Sequence, residues 1–397
     1  MNKKSLIKKS ILFIIFFLLT IGNGEYVINK FGNNVEYIGL ILLMVCSVCK
    51  LRMDKETLKK DLKIIILSLA LSYGAFYNNI SNEAKIMIFL SSLLLMNYSK
   101  FSETFVSENK QIKVIGNAIF FGMIINSIIG VVTGTLGLYF NSNEAIFKVL
   151  FLGGLKIKNY CGGIWLIVYI SYFIYYYRNG RLKNHVIRFI LLGILILLSG
   201  SKGACFLAIV FTLVMNFKSI LKFKENQEKI FYTFLCIIII FSAIYVYNNI
   251  LINIPTYLYR IRGMQKLFNL LTKSFSQFMF GISNIAYANT GYDYTINMRN
   301  FLGWDASVEM AYVNIMIKNG FIGYLVYFII FKDILKNSKM ISKKEKNIVL
   351  CILIVMLLSG FTETYIASIH YVVGPALFCL INGVICKDEF KEEKWLS

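Results

Sequence analysis

Apolar runs separated by short polar segments recur along the whole chain, and their length suits membrane helices. Roughly 17–25 apolar residues in helical form cross the hydrocarbon core of a bilayer. Such runs lie near 10–28, 35–49, 62–80, 84–99, 112–132, 160–177, 185–199, 203–217, 230–250, 311–331, 347–361 and 366–386. The pattern predicts an all-α polytopic membrane protein of about twelve transmembrane helices, one integral membrane domain over residues 1–397. The first run, "KKSLIKKSILFIIFFLLTIGNGEYVI", has the basic start and apolar stretch of a signal peptide. No small-x-small cleavage site follows, and a basic loop and further spans come next, which predicts a retained helix.

Composition agrees. The chain is 57% hydrophobic, with a mean hydropathy of +0.64. A soluble domain does not keep that much apolar surface dry. A net charge of +21 would suggest nucleic acid for a soluble protein, but here the distribution of charge changes the picture. If the N-terminus, with Lys3, Lys4, Lys8 and Lys9, is cytoplasmic, alternate loops such as "KLRMDKETLKKDLK", "RNGRLKNHVIR" and "KDILKNSKMISKKEK" are cytoplasmic too. Those segments and the tail hold roughly thirty of the 42 Lys and Arg residues, as the positive-inside rule requires. Both termini are expected in the cytoplasm, with no nucleic-acid partner.

Soluble-enzyme motifs are missing. There is no Walker sequence, no dinucleotide fingerprint and no H-E-x-x-H. Cys46 and Cys49 form a lone C-x-x-C that reads as helix packing, and His185 and His370 are isolated, so no metal site and no cofactor are expected. No internal repeat or matching halves appear, which weighs against a transporter.

Two outward-facing connections are long, about 133–159 and 251–310. Long loops in compact bundles usually carry function. Within the second, residues 256–274 place apolar residues at helical spacing between Arg260, Arg262, Lys266 and Lys273, which predicts an amphipathic helix at the outer interface. "FGISN" then turns, and a Tyr- and Asn-rich stretch with Arg299 runs to Trp304. Asp305 and Glu309, four apart, are expected to open the next helix and share a face, with Tyr312 on the same side.

Cations on the outer face oppose the orientation rule and so suggest a use. Lys202 is the only charge between Arg188 and Lys218, and it sits in the break "LSGSKGA". Backbone amides and the Ser199 and Ser201 hydroxyls there are expected to face a bound anion. Arginine suits phosphate bidentately and lysine adds a point charge.

These residues carry a resemblance. "LLSGSKGACFLAIV" resembles the "SRG-A" turn of the O-antigen ligase and Wzy-type polysaccharide polymerase family, with Lys202 in place of arginine. Arg262 followed by "GMQKLFNLLTKSFSQFMFGIS" resembles that family's next arginine and glycine turn. "VEMAYVNIMIKNGFIGYLVYFIIF" resembles its closing "E-x-G-ϕ-ϕ-G" segment through Gly320 and Gly323. The likeness covers roughly residues 185–335. The ligase branch carries histidine eleven residues before the first glycine of that segment; here the position is Glu309, which leans toward the polymerases.

The resemblance implies a GT-C-like helical fold in the bacterial cytoplasmic membrane. It implies an undecaprenyl-diphosphate-linked oligosaccharide as substrate, and glycosyl transfer at the outer face. A flippase and a chain-length regulator would be partners, beside membrane lipids. Arg262, Arg260, Lys202 and Arg299 would hold the diphosphate. Glu309 and Asp305 are candidate bases, with Asp293 behind them. Tyr292 and Trp304, with Tyr287 and Tyr294, would stack on sugar rings. Transfer to another acceptor by a ligase, and a lipid-linked oligosaccharide flippase or other transporter, are the alternatives.

Overall fold

The structure, a computed structural model, describes residues 3–48, 55–77, 80–142, 148–220, 255–286, 300–303, 308–367 and 371–392. It is built almost wholly of helices: α1 (Lys3–Ile21), α2 (Glu25–Phe31), α3 (Asn34–Val48), α4 (Lys55–Tyr77), α5 (Asn82–Phe105) and α6 (Asn109–Thr133). After a small hairpin come α7 (Lys158–Arg178), α8 (Val186–Leu198) and α9 (Lys202–Ile220). The second half holds α10 (Pro255–Leu271), α11 (Phe275–Phe280), α12 (Ser283–Ala286), α13 (Ala311–Asn337), α14 (Lys343–Thr362) and α15 (Val373–Glu392).

Among the described residues, α6, α13 and α14 are long and apolar enough to cross a membrane, and shorter apolar helices lie at 34–47, 202–216 and 373–386. This is an all-α membrane protein. The run expected near 230–250 lies outside the described residues.

α7 is the centre of the bundle. Cys161 to Ile174 are all buried, because the helix is apolar on every face and α6, α8, α9 and α15 surround it. Its two ends define two ends of the molecule. At one, the Arg178 Nε donates to Glu345 Oε2 of α14 at 2.9 Å, both side chains buried. At the other, the Tyr365 hydroxyl, just after α14, donates to the Asn159 carbonyl at 2.8 Å. α7 and α14 are therefore antiparallel. The Arg178 end is the basic one, carrying Arg181, Lys183, Lys343 and Lys344.

Three expectations need correction. The first run does not continue to residue 28: α1 stops at Ile21 and α2 is a separate short helix. The break lies where other segments of the chain approach closely. A Cβ on Gly22 would fall 2.6 Å from the Glu36 nitrogen, and one on Gly24 would fall 2.5 Å from Asn126 Oδ1. Second, the 133–159 connection, read from the sequence only as a long loop, carries two short strands. β1 (Leu138–Phe140) pairs antiparallel with β2 (Val149–Phe151), Leu138 opposite Phe151. Third, the run at 311–331 is not one straight helix. α13 breaks at Gly320, with φ 61° and ψ −155°.

Candidate functional site

The break that holds Lys202 is a tight turn between α8 and α9. Gly200 takes φ +70°, a conformation glycine adopts without a Cβ clash. The buried Ser199 hydroxyl donates to the Ile196 carbonyl at 2.6 Å and accepts from the Ser201 amide. The buried Ser201 oxygen accepts from the Ala204 amide at 3.2 Å, capping α9. Both hydroxyls are thus used inside the turn, which corrects the expectation that they face an anion. Gly162 of α7 lets the turn dock, since a Cβ there would lie 2.4 Å from the Ser201 Cβ. Lys202 itself is exposed and makes no ion pair among the described residues.

The group that faces the start of α9 belongs to the protein. A Cβ on Gly203 would lie 2.7 Å from Glu363 Oε1. Glu363 closes α14, its amide donating to the Ser359 carbonyl at 2.7 Å, and only 4% of it is exposed. Its own carbonyl accepts from the Ala311 amide at 3.0 Å, which fixes the start of α13 against it. Burial pushes the Glu363 carboxyl up to about 8; the charge of Glu309 adds to the rise, and Arg260 and Lys158 oppose it.

Glu309 is ion-paired with Arg260 of α10, and both side chains are partly buried. The expectation that Glu309 opens a helix is not met. α13 begins at Ala311 with Met310 as its extended N-cap, and the segment 308–310 lies outside any helix. Asn314 pins that segment, its side-chain amide donating to the Val308 carbonyl at 2.6 Å. The physical reason for the difference is Arg260, which draws the carboxylate across to α10 instead of leaving it to the helix dipole.

α10 is amphipathic as expected. Leu267 and Leu271 pack with Ile282, Leu302, Val308, Val313 and Ile317 in a small core of their own. Arg262 falls two residues, about 200°, from Arg260 around the helix, so it is exposed on the far side of the pair. Lys266 and Lys273 are exposed as well.

The two glycine segments singled out in the sequence touch. Gly281, at φ +82°, ends α11, and the Ile282 amide donates to the Ile317 carbonyl at 2.9 Å. A Cβ on Gly320 would lie 2.5 Å from the Gly281 nitrogen. The contact folds the first half of α13, with Glu309 before it, back beneath α10.

The structure thus brings Glu309, Arg260 and the Lys202 turn to one end of the bundle, away from Arg178. Arg262 is near in sequence but turned outward. Asp305, Arg299, Tyr292 and Trp304, with Tyr287, Asp293 and Tyr294, lie outside the described residues. Sequence reasoning missed Glu363 and Lys158. A signal existed: "TETY" is a polar break between two apolar runs, as unusual for a carboxylate as "SGSKG" is for a lysine.

Chemically, one carboxylate here is ion-paired with a guanidinium and a second, buried one feels the charge of both. Glu309 is ion-paired with Arg260, and burial raises the hold of the Glu363 carboxyl on its proton. Environments that separate two carboxyl groups in this way divide acid from base roles. Neither a protein-family model nor any curated protein matches the chain.

Proposed function

We propose that the protein polymerises lipid-linked oligosaccharide repeat units at the outer face of a bacterial cytoplasmic membrane. The observation that carries this reading is the Arg260–Glu309 ion pair beside Glu363, at the bundle end away from the basic loops. In this reading the basic Arg178 end is cytoplasmic, the chain has about twelve spans, and both termini are cytoplasmic.

The chemistry follows from what a diphosphate does to that pair. An undecaprenyl-diphosphate donor brings negative charge that competes for Arg260. The guanidinium turns to the phosphate oxygens, with exposed Arg262 and Lys202 as further cations. Glu309 is then released from its ion pair. It accepts the proton of the incoming sugar hydroxyl as that oxygen bonds to the anomeric carbon. The bond from that carbon to the diphosphate oxygen breaks, and the cations carry the charge that grows on the leaving group. Base and donor site are coupled, so Glu309 is freed to act only when the donor is bound.

Deletion of the gene in its host tests the reading. Lipid-linked single repeat units at the cell surface are the expected product. Intact but unattached polymer would point instead to a ligase, and intermediates trapped in the cytoplasm to a flippase.

A further inference from the structure

At the basic end of the bundle, remote from Glu309, four helices enclose a cavity of about 350 Å³. α4 packs on α5 and α13, and α5 packs on α15. The walls follow helical spacing. On α4 the lining residues are Lys60, Lys63, Ile64 and Leu67, so the face changes from cationic to apolar as the helix runs inward. The floor is completed by Leu95 of α5, Ile330 and Ile334 of α13, and Phe378 of α15.

Charge collects at the mouth. Four lysines line the cavity, Lys60, Lys63, Lys100 and Lys336, against two carboxylates, Glu103 and Asp333. Lys63 of α4 is bound to Asp333 of α13, and Lys100 of α5 to Asp61 of α4, a third carboxylate beside the mouth. Lys60 is 4.0 Å from Glu103 and mostly exposed, and Lys336 has no ion pair among the described residues. Lys63 and Lys100 brace the helices; the Lys60–Glu103 pair is the loosest of the three, with the lysine side chain 66% exposed, so Lys60 and Lys336 are the cations a ligand reaches most readily.

We infer that this cavity binds an anionic amphiphile: a phosphate-headed lipid whose first chain carbons enter the apolar floor. The volume is at the lower end of the roughly 300–1,000 Å³ typical of small-molecule sites. It holds a head group and the start of a chain, and the rest of the chain continues outside. A soluble anion would leave the floor unfilled. A neutral or zwitterionic lipid would leave the one lysine in excess of the carboxylates without a counter-charge. The inference is independent of the reaction proposed for the opposite end.

The test uses the purified full-length chain in nanodiscs, with bound lipid counted by native mass spectrometry. Phosphatidylglycerol should be retained in preference to phosphatidylcholine. The double variant Lys60→Gln, Lys336→Gln should weaken retention about 25-fold, at roughly fivefold per lysine. Ile334→Trp fills the floor without changing charge and should displace the lipid too. Inorganic phosphate, added alone at the lipid's concentration, should not compete. Equal retention of phosphatidylcholine, or unchanged retention in the lysine variant, overturns the inference. Displacement by inorganic phosphate also overturns it, since that marks a free-anion site. Both substituted lysines are exposed, so the lysine variant keeps its fold and the test stands even if Ile334→Trp does not fold.

Discussion

Arg260 and Glu309, 49 residues apart in the chain, meet as an ion pair where α10 crosses the non-helical segment before α13. In the proposed reaction this pair is both lock and engine: the donor's diphosphate takes the cation and frees the base. Glu309→Gln keeps shape and hydrogen bonding but loses basicity. It should lower polymerisation by roughly 10²–10⁴, with lipid-linked donor still bound. Chain-length ladders from a complemented deletion strain, at matched protein level, measure this. A wild-type ladder would remove Glu309 as base.

Arg262→Ala tests the outward-facing cation separately. It makes no ion pair among the described residues, so its loss should leave stability unchanged and weaken only the hold on phosphate. Polymer formation should fall strongly, Arg262→Lys should recover part of it, and Lys202→Arg should be tolerated. Full activity in Arg262→Ala would take it out of the site.

Glu363 gives a pH dependence with a definite sign. Its folded-state value lies near 8, above the ordinary carboxylate value. Between the two the native state holds a proton that the unfolded chain releases. This contribution is complete below pH about 4.5 and is lost as pH rises toward 8, at no more than roughly 1.4 kcal/mol per pH unit. Thermal melts of the full chain should therefore fall more steeply from pH 6 to 8 than melts of Glu363→Gln. Parallel curves would contradict the assignment.

Gly320 makes the fold of the site possible. An alanine there would sit at φ +61° and bring its Cβ within 2.5 Å of the Gly281 nitrogen. With ψ −155° this is a region that essentially only glycine adopts, and it costs an L-residue about 1–3 kcal/mol. Gly320→Ala should lower the melting temperature and loosen the Arg260–Glu309 contact, whereas Gly193→Ala, with open space around it, should do neither.

Orientation is checked by reporters active only outside the cytoplasm. Fusions at residues 150 and 280 should be active, and fusions at 55, 225 and 340 should be silent. Activity at 340 would invert the bundle and put the Glu309 cluster on the wrong face.

Much of the fold was legible because hydrophobic runs of membrane length have few other solutions. α5, α7 and α9 begin within two residues of the expected runs, and α14 begins four residues before its run because Ser342 caps it inside the polar segment. The breaks at Gly22–Gly24 and Gly320 were not legible, because each depends on residues distant in the chain: the Glu36 backbone and the Asn126 side chain for the first, the Gly281 backbone for the second. The site was legible in part. Lys202, Arg260 and Glu309 stood out as charges in unusual places, but spacing along the chain said nothing of which would pair. Reading Glu309 as a helix-opening acid used local rules where a partner on α10 decided the outcome. Glu363 escaped because its neighbours in space, Gly203 and Glu309, are far from it in sequence.

The central claim is most directly tested with the purified full-length chain in nanodiscs and a synthetic undecaprenyl-diphosphate-linked repeat unit. Product length is followed by gel and mass spectrometry. The account predicts a ladder of extended glycans with release of undecaprenyl diphosphate, abolished in Arg260→Ala. Repeat units that stay single with the wild-type protein, or a ladder that persists in Arg260→Ala, would contradict it.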